Sequence, residues 1–382
     1  MRHVAILVET SRAYGRGAIR GIARYNRERG HWSTWFTTQG LGEGPPPWLA
    51  HWKGDGIVAR IQNLAMARAV ARTGVPVVNL RGNLPELPFP FIGADNDAVA
   101  RVAADHLLER GFRDIAFCGY PRRFHPGMYR RGETFRQLVV AAGRRGHAFE
   151  PPLEGQAGGW EREQERLARW LRSLPRPLAV FAANDDGGLQ VLDACRRIGA
   201  RVPDEVAVLG VDNDEYLCEF ADPPLSSIDI NSEQAGYEAA ALLDRLMSGK
   251  PLPAQLPSIQ PRGVVTRRST DVLAVDDRQV VEAVRFVREN ALRGIREKDV
   301  AAHVKSSATS LRLRVRRVLG RTIHQEIKRV QLVKAQALLS ATDMPIKQVA
   351  HAAGFSTVQY LTRVFHAATG CTPAAFRRRR GL

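Results

Sequence analysis

The chain is poor in cysteine, in long apolar runs and in acidic charge, and each shortage excludes something. Its four cysteines, Cys118, Cys195, Cys218 and Cys371, stand far apart and form no CxxC pair. Neither a zinc ribbon nor a disulfide framework is expected; idle thiols in a reducing compartment are. No apolar segment approaches the length of a bilayer span, and the opening run "RHVAILVET" is too short for a secretory core. A cytoplasmic protein without membrane contact is the expectation. Acidic residues number 39 against 56 lysines and arginines, for a formal charge of +17. Residues 276–382 hold 21 Lys+Arg and 8 Asp+Glu, so +13 of that charge lies there and +4 on the first 275 residues. A basic module on a near-neutral body suggests a polyanion partner, most simply nucleic acid, with a solvated basic face as the plainer alternative.

At 382 residues the chain fits two or three domains. Residues 1–270 alternate short β-rich runs ("VAILVET", "DGIVAR", "PVVNLRG", "DIAFCGY", "PLAVFAAN", "VAVLGVDN") with amphipathic stretches at 97–111, 129–142, 160–173 and 187–198. That rhythm predicts an α/β body of two doubly wound, parallel-sheet lobes. Ligands of such sheets sit at the carboxyl ends of strands. The strand-end loops "ETSRAYGRG", "GYPRRFHPGMYRRGETF", "NDDGG" and "DNDEY" offer Thr10, Tyr14, Arg131, Asn184, Asp185 and Asp212 toward one cleft. Carboxylates, an amide, an arginine and a ring suit the vicinal hydroxyls of a small polyhydroxylated ligand. Helix capping is the competing role for the Asn and Asp residues.

Enzymatic readings fit less well. Gly15, Gly17 and Gly21 are spaced GxGxxxG rather than GxGxxG, and the second strand ends "TTQG" without a ribose-binding acid. Asp185, Asp186, Asp212 and Asp214 could form an acid–base pair or a magnesium site, yet no His and nucleophile cluster stands beside them. Binding without catalysis, cofactor or metal is expected.

The stretches "HVAILVETSRAYGRGAIRGIARY", "FIGADNDAVARVAADHLLERGFRDIAFCG", "AVFAANDDGGLQVLDACRRIGARVPDEVAVLGVDNDEYLCEFADPPLSSI" and "PRGVVTRRST" resemble the effector domain of LacI-type regulators, itself similar to periplasmic sugar-binding proteins. The resemblance covers about residues 1–270. It implies one lobe near 1–119 plus 228–255 and a second near 120–227 plus 256–270. It also implies ligand roles for Arg131, Asn184 and Asp212. Those regulators begin with a DNA-binding headpiece, whereas this chain starts at the first strand.

After a linker at 271–277 the pattern turns helical. Asp276 and Asp277 mark a helix start, "EKDVAAHV" reads as a short helix, "KSSA" as a turn, and 309–318 as a second helix with Leu311, Val315 and Val318 inward. Thr309, Leu313 and Arg316 then face outward, flanked by Arg312 and Arg317. Further on, Asp343 and Pro345 open a helix that Gly354 can end, and Ser356 with Gln359 forms a capping box for the next. Leu361, Val364, Phe365 and Ala368 fall at i, i+3, i+4 and i+7, so Gln359, Arg363 and His366 face outward with Tyr360 at the edge. Gln can pair with adenine and Arg with guanine, while hydroxyls such as Ser356 and Thr357 suit phosphates.

The paired hairpins, the connector at 322–339 and the ending "GFSTVQYLTRVFHAATGCTPAAFRRR" resemble the DNA-binding domain of AraC-type regulators, over about 276–380. Lys305 stands where that family often has Gly, and Val315 where it has Phe. A LacI-like sensor joined to an AraC-like reader is similar to activators of pentose-use genes. That resemblance implies D-xylose as the leading effector, double-stranded promoter DNA and RNA polymerase as partners, and a homodimer. A sugar-binding or sugar-processing protein whose basic tail merely localises it is the alternative. Arg377, Arg378, Arg379 and Arg380 are expected to add phosphate affinity.

Overall fold

Four short apolar runs build a first parallel sheet: β1 (His3–Leu7), β2 (Ser33–Phe36), β3 (Gly56–Ala59) and β4 (Val77–Asn79), in the order β2-β1-β3-β4. β3 and β4 are buried throughout and β1 from Val4 onward, as continuous apolar runs between two helical layers require. The computed structural model describes residues 1–40, 42–82, 84, 87–120, 125–149, 159–272, 274, 277–319 and 321–378. Contacts divide the chain into two compact units, Met1–Leu108 with Phe112–Asp271, and Glu109–Gly111 with Val272–Leu382.

Within the first unit, α1 (Ala13–Tyr25) and α2 (Leu64–Ala71) complete the first lobe. The crossing strand β5 (Gly93–Ala94) then leads to α3 (Asn96–Leu108), β6 (Asp114–Cys118), α4 (Pro126–Ala141), β7 (Arg145–Phe149) and α5 (Trp160–Ser173). These are followed by β8 (Leu178–Ala182), α6 (Asp185–Arg197), β9 (Val206–Val211), α7 (Glu215–Phe220) and β10 (Ser226–Asp229). The chain returns to the first lobe as α8 (Ser232–Met247), crosses again as β11 (Ser258–Ile259) against β5, and closes the second sheet with β12 (Gly263–Val265). That sheet runs β12-β10-β9-β8-β6-β7, and among the described residues its β10–β12 pair is antiparallel and the other pairs are parallel.

The lobe boundaries expected near 119 and 228 move. β6 pairs with β7 and β8, and β10 pairs with β9, so both belong to the second sheet. α3 also lies on the second lobe: Asp97 accepts hydrogen bonds from Arg130 (2.5 Å) and Thr134 (2.7 Å) of α4. The first crossing is therefore at β5, and Gln260 next to β11 ties back to Asp95 at 2.9 Å. β7 itself was not foreseen, because its edge position leaves it largely exposed and its sequence polar.

The Gly17, Gly21 and Gly236 positions serve helix packing rather than a nucleotide. A Cβ on Gly21 would lie 1.9 Å from the Glu233 carbonyl oxygen, and one on Gly236 1.9 Å from that of Ala18. Helices α1 and α8 thus touch backbone to backbone. Gly21→Ala should cost about 1–3 kcal/mol, as overpacked sites do. Thermal unfolding is the measurement, with Gly44→Ala, where no atom lies within 4 Å, as the silent control.

The second unit is helical: α9 (Arg278–Asn290), α10 (Glu297–His303), α11 (Ala308–Leu319), α12 (Ile323–Ala341), α13 (Ile346–Ala352), α14 (Val358–Thr369) and α15 (Pro373–Arg378). Two cores form. One gathers α9–α11 around Val284, Leu311 and Val315 and includes Ile327 and half-buried Val330 of α12; the other gathers α13–α15 around Phe355, Leu361 and Phe365 and includes Ala335 and half-buried Leu332 of α12. Asp277 caps α9 by accepting from the Gln279 and Val280 amides at 3.1 Å, while Asp276 lies outside the described residues. Three local expectations are corrected. Thr357, not Ser356, caps α14, accepting from the Tyr360 amide at 3.1 Å, because the helix starts one residue later. Pro345, not Asp343, stands at the start of α13, and Ala368 is exposed because α14 has left the core by then.

Candidate functional site

The cleft of the first unit is lined from both lobes. From the first, Tyr14 on α1 is buried, donates its hydroxyl to the Leu80 carbonyl at 3.2 Å, and lies under the Arg60 guanidinium, 4.9 Å from its centroid. Arg60 follows β3 and pairs with Glu9, which follows β1 and is 1% exposed with Oε2 unpartnered. Arg81 follows β4, and its Nε is buried without a partner. Burial, reinforced by Arg60, holds its guanidinium down to about 10.

From the second lobe, buried Arg131 on α4 donates to Asn96 Oδ1 at 3.1 Å and to the Ala183 carbonyl at 2.5 Å. Asp212 follows β9 with φ +105, a conformation disfavoured for a non-glycine residue and costing of order 1–3 kcal/mol. The neighbouring turn holds it there: its amide donates to the Ile228 carbonyl at 3.0 Å, and that of Asn213 to Ser227 Oγ at 3.0 Å. Burial raises the Asp212 carboxyl to about 6, with Arg131 and Arg60 opposing the shift. Three arginines, Arg81, Arg131 and Arg60, add to burial in pushing His125 down to about 3, so it is neutral. At neutral pH the cleft therefore offers fixed guanidinium donors, a carboxylate acceptor and a ring face.

Not every residue singled out from the sequence joins this set. Asn184 caps α6, its Oδ1 accepting from the Gly187 amide at 2.9 Å, with the Tyr120 hydroxyl 3.5 Å away. Asp185 is 2% exposed and already accepts from Ser227 Oγ (2.5 Å) and the Asp214 amide (2.8 Å), so its carboxyl, which burial raises to about 8, builds the turn after β9 rather than facing a ligand. Half-buried Thr10 is engaged through its backbone beside the cleft, its carbonyl accepting from Arg16 at 3.0 Å. Arg16 also grips Asp214 of the second lobe at 2.9 and 3.0 Å, and Arg12 meets Asp186 at 2.7 Å, so charged pairs join the lobes beside the cleft. Arg60 and Arg81 were missed although they follow the carboxyl ends of β3 and β4; the strand-end rule, applied to every strand, finds them. Residues 121–124 of the expected loop lie outside the described residues.

In the second unit, α10–α11 and α13–α14 each form two helices joined by a tight turn. Lys305 turns the first at φ +52, where glycine is cheaper, and Gly354 the second at φ +77. On α11, Thr309, Arg312, Leu313, Arg316 and Arg317 are all exposed, with Leu313 at 65%. Arg312 is held by Glu297 at 2.7 Å. On α14, Gln359, Arg363 and His366 are exposed, as are Ser356 and Thr357 before it. Tyr360 is half-buried, with Lys328 of α12 4.3 Å from its ring centroid and Arg363 at 5.1 Å. Arg363 is thus aimed by a ring that a second cation also engages, a contact the helical wheel could not reveal. Arg377 lies in α15, whereas Arg379 and Arg380 are outside the described residues. Among the described residues no cluster suits a metal ion and no helix is long and apolar enough to cross a membrane.

Known proteins share this build. Family models match at residues 3–97 (XylR N-terminal domain), 104–270 (periplasmic binding protein-like domain) and 300–379 (helix-turn-helix domain). The chain is 31% identical over 383 residues to the xylose operon regulatory protein of Escherichia coli (strain K12), covering 98% of this chain and 97% of that one. It is 28% identical over 380 residues to that of Haemophilus influenzae (strain ATCC 51907 / DSM 11121 / KW20 / Rd), with the same coverage. The solved structure of a xylose-binding transcription activator, xylR, matches with a TM-score of 0.64 at 31% identity, over 99% of this chain and 98% of that one. With sensor, reader and their order shared over nearly the whole length, this chain belongs to the family of xylose operon regulatory proteins, which are DNA-binding transcription regulators and not enzymes.

Proposed function

We propose that the cleft binds a neutral pentose, D-xylose foremost, and that its occupancy changes how α11 and α14 bind promoter DNA. The observation that carries this is the opposed set itself: Tyr14, Arg60 and Arg81 on one lobe face Arg131 and Asp212 on the other. A sugar hydroxyl donates to Asp212 while its oxygens accept from the guanidinium groups, so the ligand bridges the lobes and favours their closure. The names of the relatives supply the choice of sugar. Calorimetric titration with D-xylose, L-arabinose, D-ribose and D-glucose tests it: D-xylose should give the tightest binding, and no heat from any of the four would reject the pentose assignment.

The carboxylate sets a pH dependence. Asp212 accepts a hydrogen bond from a sugar hydroxyl far more strongly as the carboxylate, and its pKa is raised to about 6. Sugar affinity is therefore full above pH 7 and falls as pH drops through about 6, by roughly five- to tenfold at pH 5. His125 does not titrate in that window. A titration series from pH 7.5 to 5 reads this directly, and an Asp212→Asn variant should lose both affinity and pH dependence.

On the DNA side, α12 has 19 residues and so is about 28 Å long, comparable to the ~34 Å between successive major grooves on one face of a duplex. Residues 278–382 would place α11 and α14 in those two grooves, with 1–270 as the sensor. The same reading includes a homodimer, contact with RNA polymerase and a cytoplasmic location.

A further inference from the structure

Two separate cores in the second unit pose a physical question: what holds the two reading helices at one spacing? The core of α9–α11 takes Ile327 and half-buried Val330 from α12, and that of α13–α15 takes Ala335 and half-buried Leu332. Between them α12 carries a polar residue, Gln331, only 2% exposed. Its Nε2 donates to the Ala291 carbonyl at 2.9 Å, in the turn after α9, and to the Gly354 carbonyl at 2.8 Å, in the turn between α13 and α14. Its Oε1 accepts from Lys328 at 3.0 Å. A buried amide with both donors and its acceptor engaged is a rigid junction.

The turns it joins touch. A Cβ on Gly354 would lie 2.8 Å from Leu292 Cα and 2.9 Å from the Ala291 carbonyl oxygen. The same Lys328 lies over the Tyr360 ring, which in turn packs against Arg363. A continuous path therefore runs from the α9–α10 turn through Gln331 and Lys328 to the outward face of α14.

We propose that Gln331 is the positioning residue that fixes the distance and helical phase between the two DNA-reading helices, and so sets the one spacer length this protein accepts. The proposal rests on the two-reader account given above. It concerns geometry, not contact: Gln331 touches no base.

Its test is selection of binding sites from a randomised duplex pool by the full chain with D-xylose present, comparing wild type with Gln331→Met and Gln331→Glu. One inserted base pair rotates the second box by about 35° relative to the first. The wild type should recover two boxes at one spacing and lose roughly tenfold in affinity on that insertion. The variants should recover two or more spacings, with the insertion costing less than about threefold. Simple destabilisation would weaken binding to every spacing alike and leave the ratio unchanged. Helical circular dichroism accompanies each variant, and Gln331→Asn, which keeps the amide but draws it back by a methylene, supplies the readout if Gln331→Met unfolds. Variants that keep the single spacing and the full insertion penalty overturn the proposal. A wild type that recovers one box alone overturns the two-reader account and the junction with it.

Discussion

Arg131→Ala will weaken sugar binding by roughly two to three orders of magnitude while leaving sugar-free DNA binding unchanged. Arg131 is 4% exposed, and its guanidinium holds Asn96 and the Ala183 carbonyl while opposing the upward shift of Asp212. Each hydrogen bond from a charged donor to a buried ligand oxygen is worth about 1.5–3 kcal/mol, and each 1.4 kcal/mol is tenfold in affinity, so the loss of one or two such bonds from Arg131 gives the expected drop. Part of the loss falls on Asp212, whose pKa rises further once the positive charge of Arg131 no longer opposes the effect of burial. The midpoint of the pH dependence should therefore move upward in the variant, provided residual binding is measurable. Arg131→Lys should not rescue, since a single ammonium cannot reach both existing acceptors and the ligand. Calorimetry with D-xylose gives the affinity, and wild-type affinity in Arg131→Ala would remove this residue from the site.

Arg363→Ala should erase most of the preference for the specific site over random DNA. Arg363 is exposed on α14 and steered by Tyr360, whose own ring is engaged by Lys328. A good bidentate contact to a base is worth about 1–3 kcal/mol of discrimination, or roughly ten- to a hundredfold. The loss should concentrate on specific DNA, whereas Arg316→Ala or Arg317→Ala should weaken both kinds of duplex if those residues hold phosphates. Competition binding against random duplex separates the two. Equal losses on both kinds of DNA from Arg363→Ala would favour a tail that binds nucleic acid without reading it.

The sequence rhythm was enough for the two α/β lobes and the helical reader, because continuous apolar strands and amphipathic helices such as α5 leave periodic signals. β7 left none, being an exposed edge strand with polar residues. The lobe boundary was misplaced because membership of α3 and β6 in the second lobe depends on pairing and packing that lie far off in the chain. Within the cleft, Tyr14, Arg131 and Asp212 were legible as strand-end polar residues. Asp185 shared that signature, yet its carboxyl turned inward to Ser227 and the Asp214 amide, a choice set by the neighbouring strand rather than by local sequence. Gln331 was invisible for the same reason. A lone glutamine on a long helix reads as surface until the two carbonyls it meets, 40 and 23 residues away, are known.

Linkage between the two units is thermodynamic and reciprocal: if sugar changes DNA affinity by some factor, DNA must change sugar affinity by the same factor. The most direct measurement is the affinity of the full chain for its own promoter DNA, at fixed salt, with and without saturating D-xylose. Binding should be tighter with sugar, by roughly five- to a hundredfold, with an equal gain in xylose affinity when the DNA is present. Identical DNA affinity in both conditions, from a protein that demonstrably binds D-xylose, would contradict that linkage.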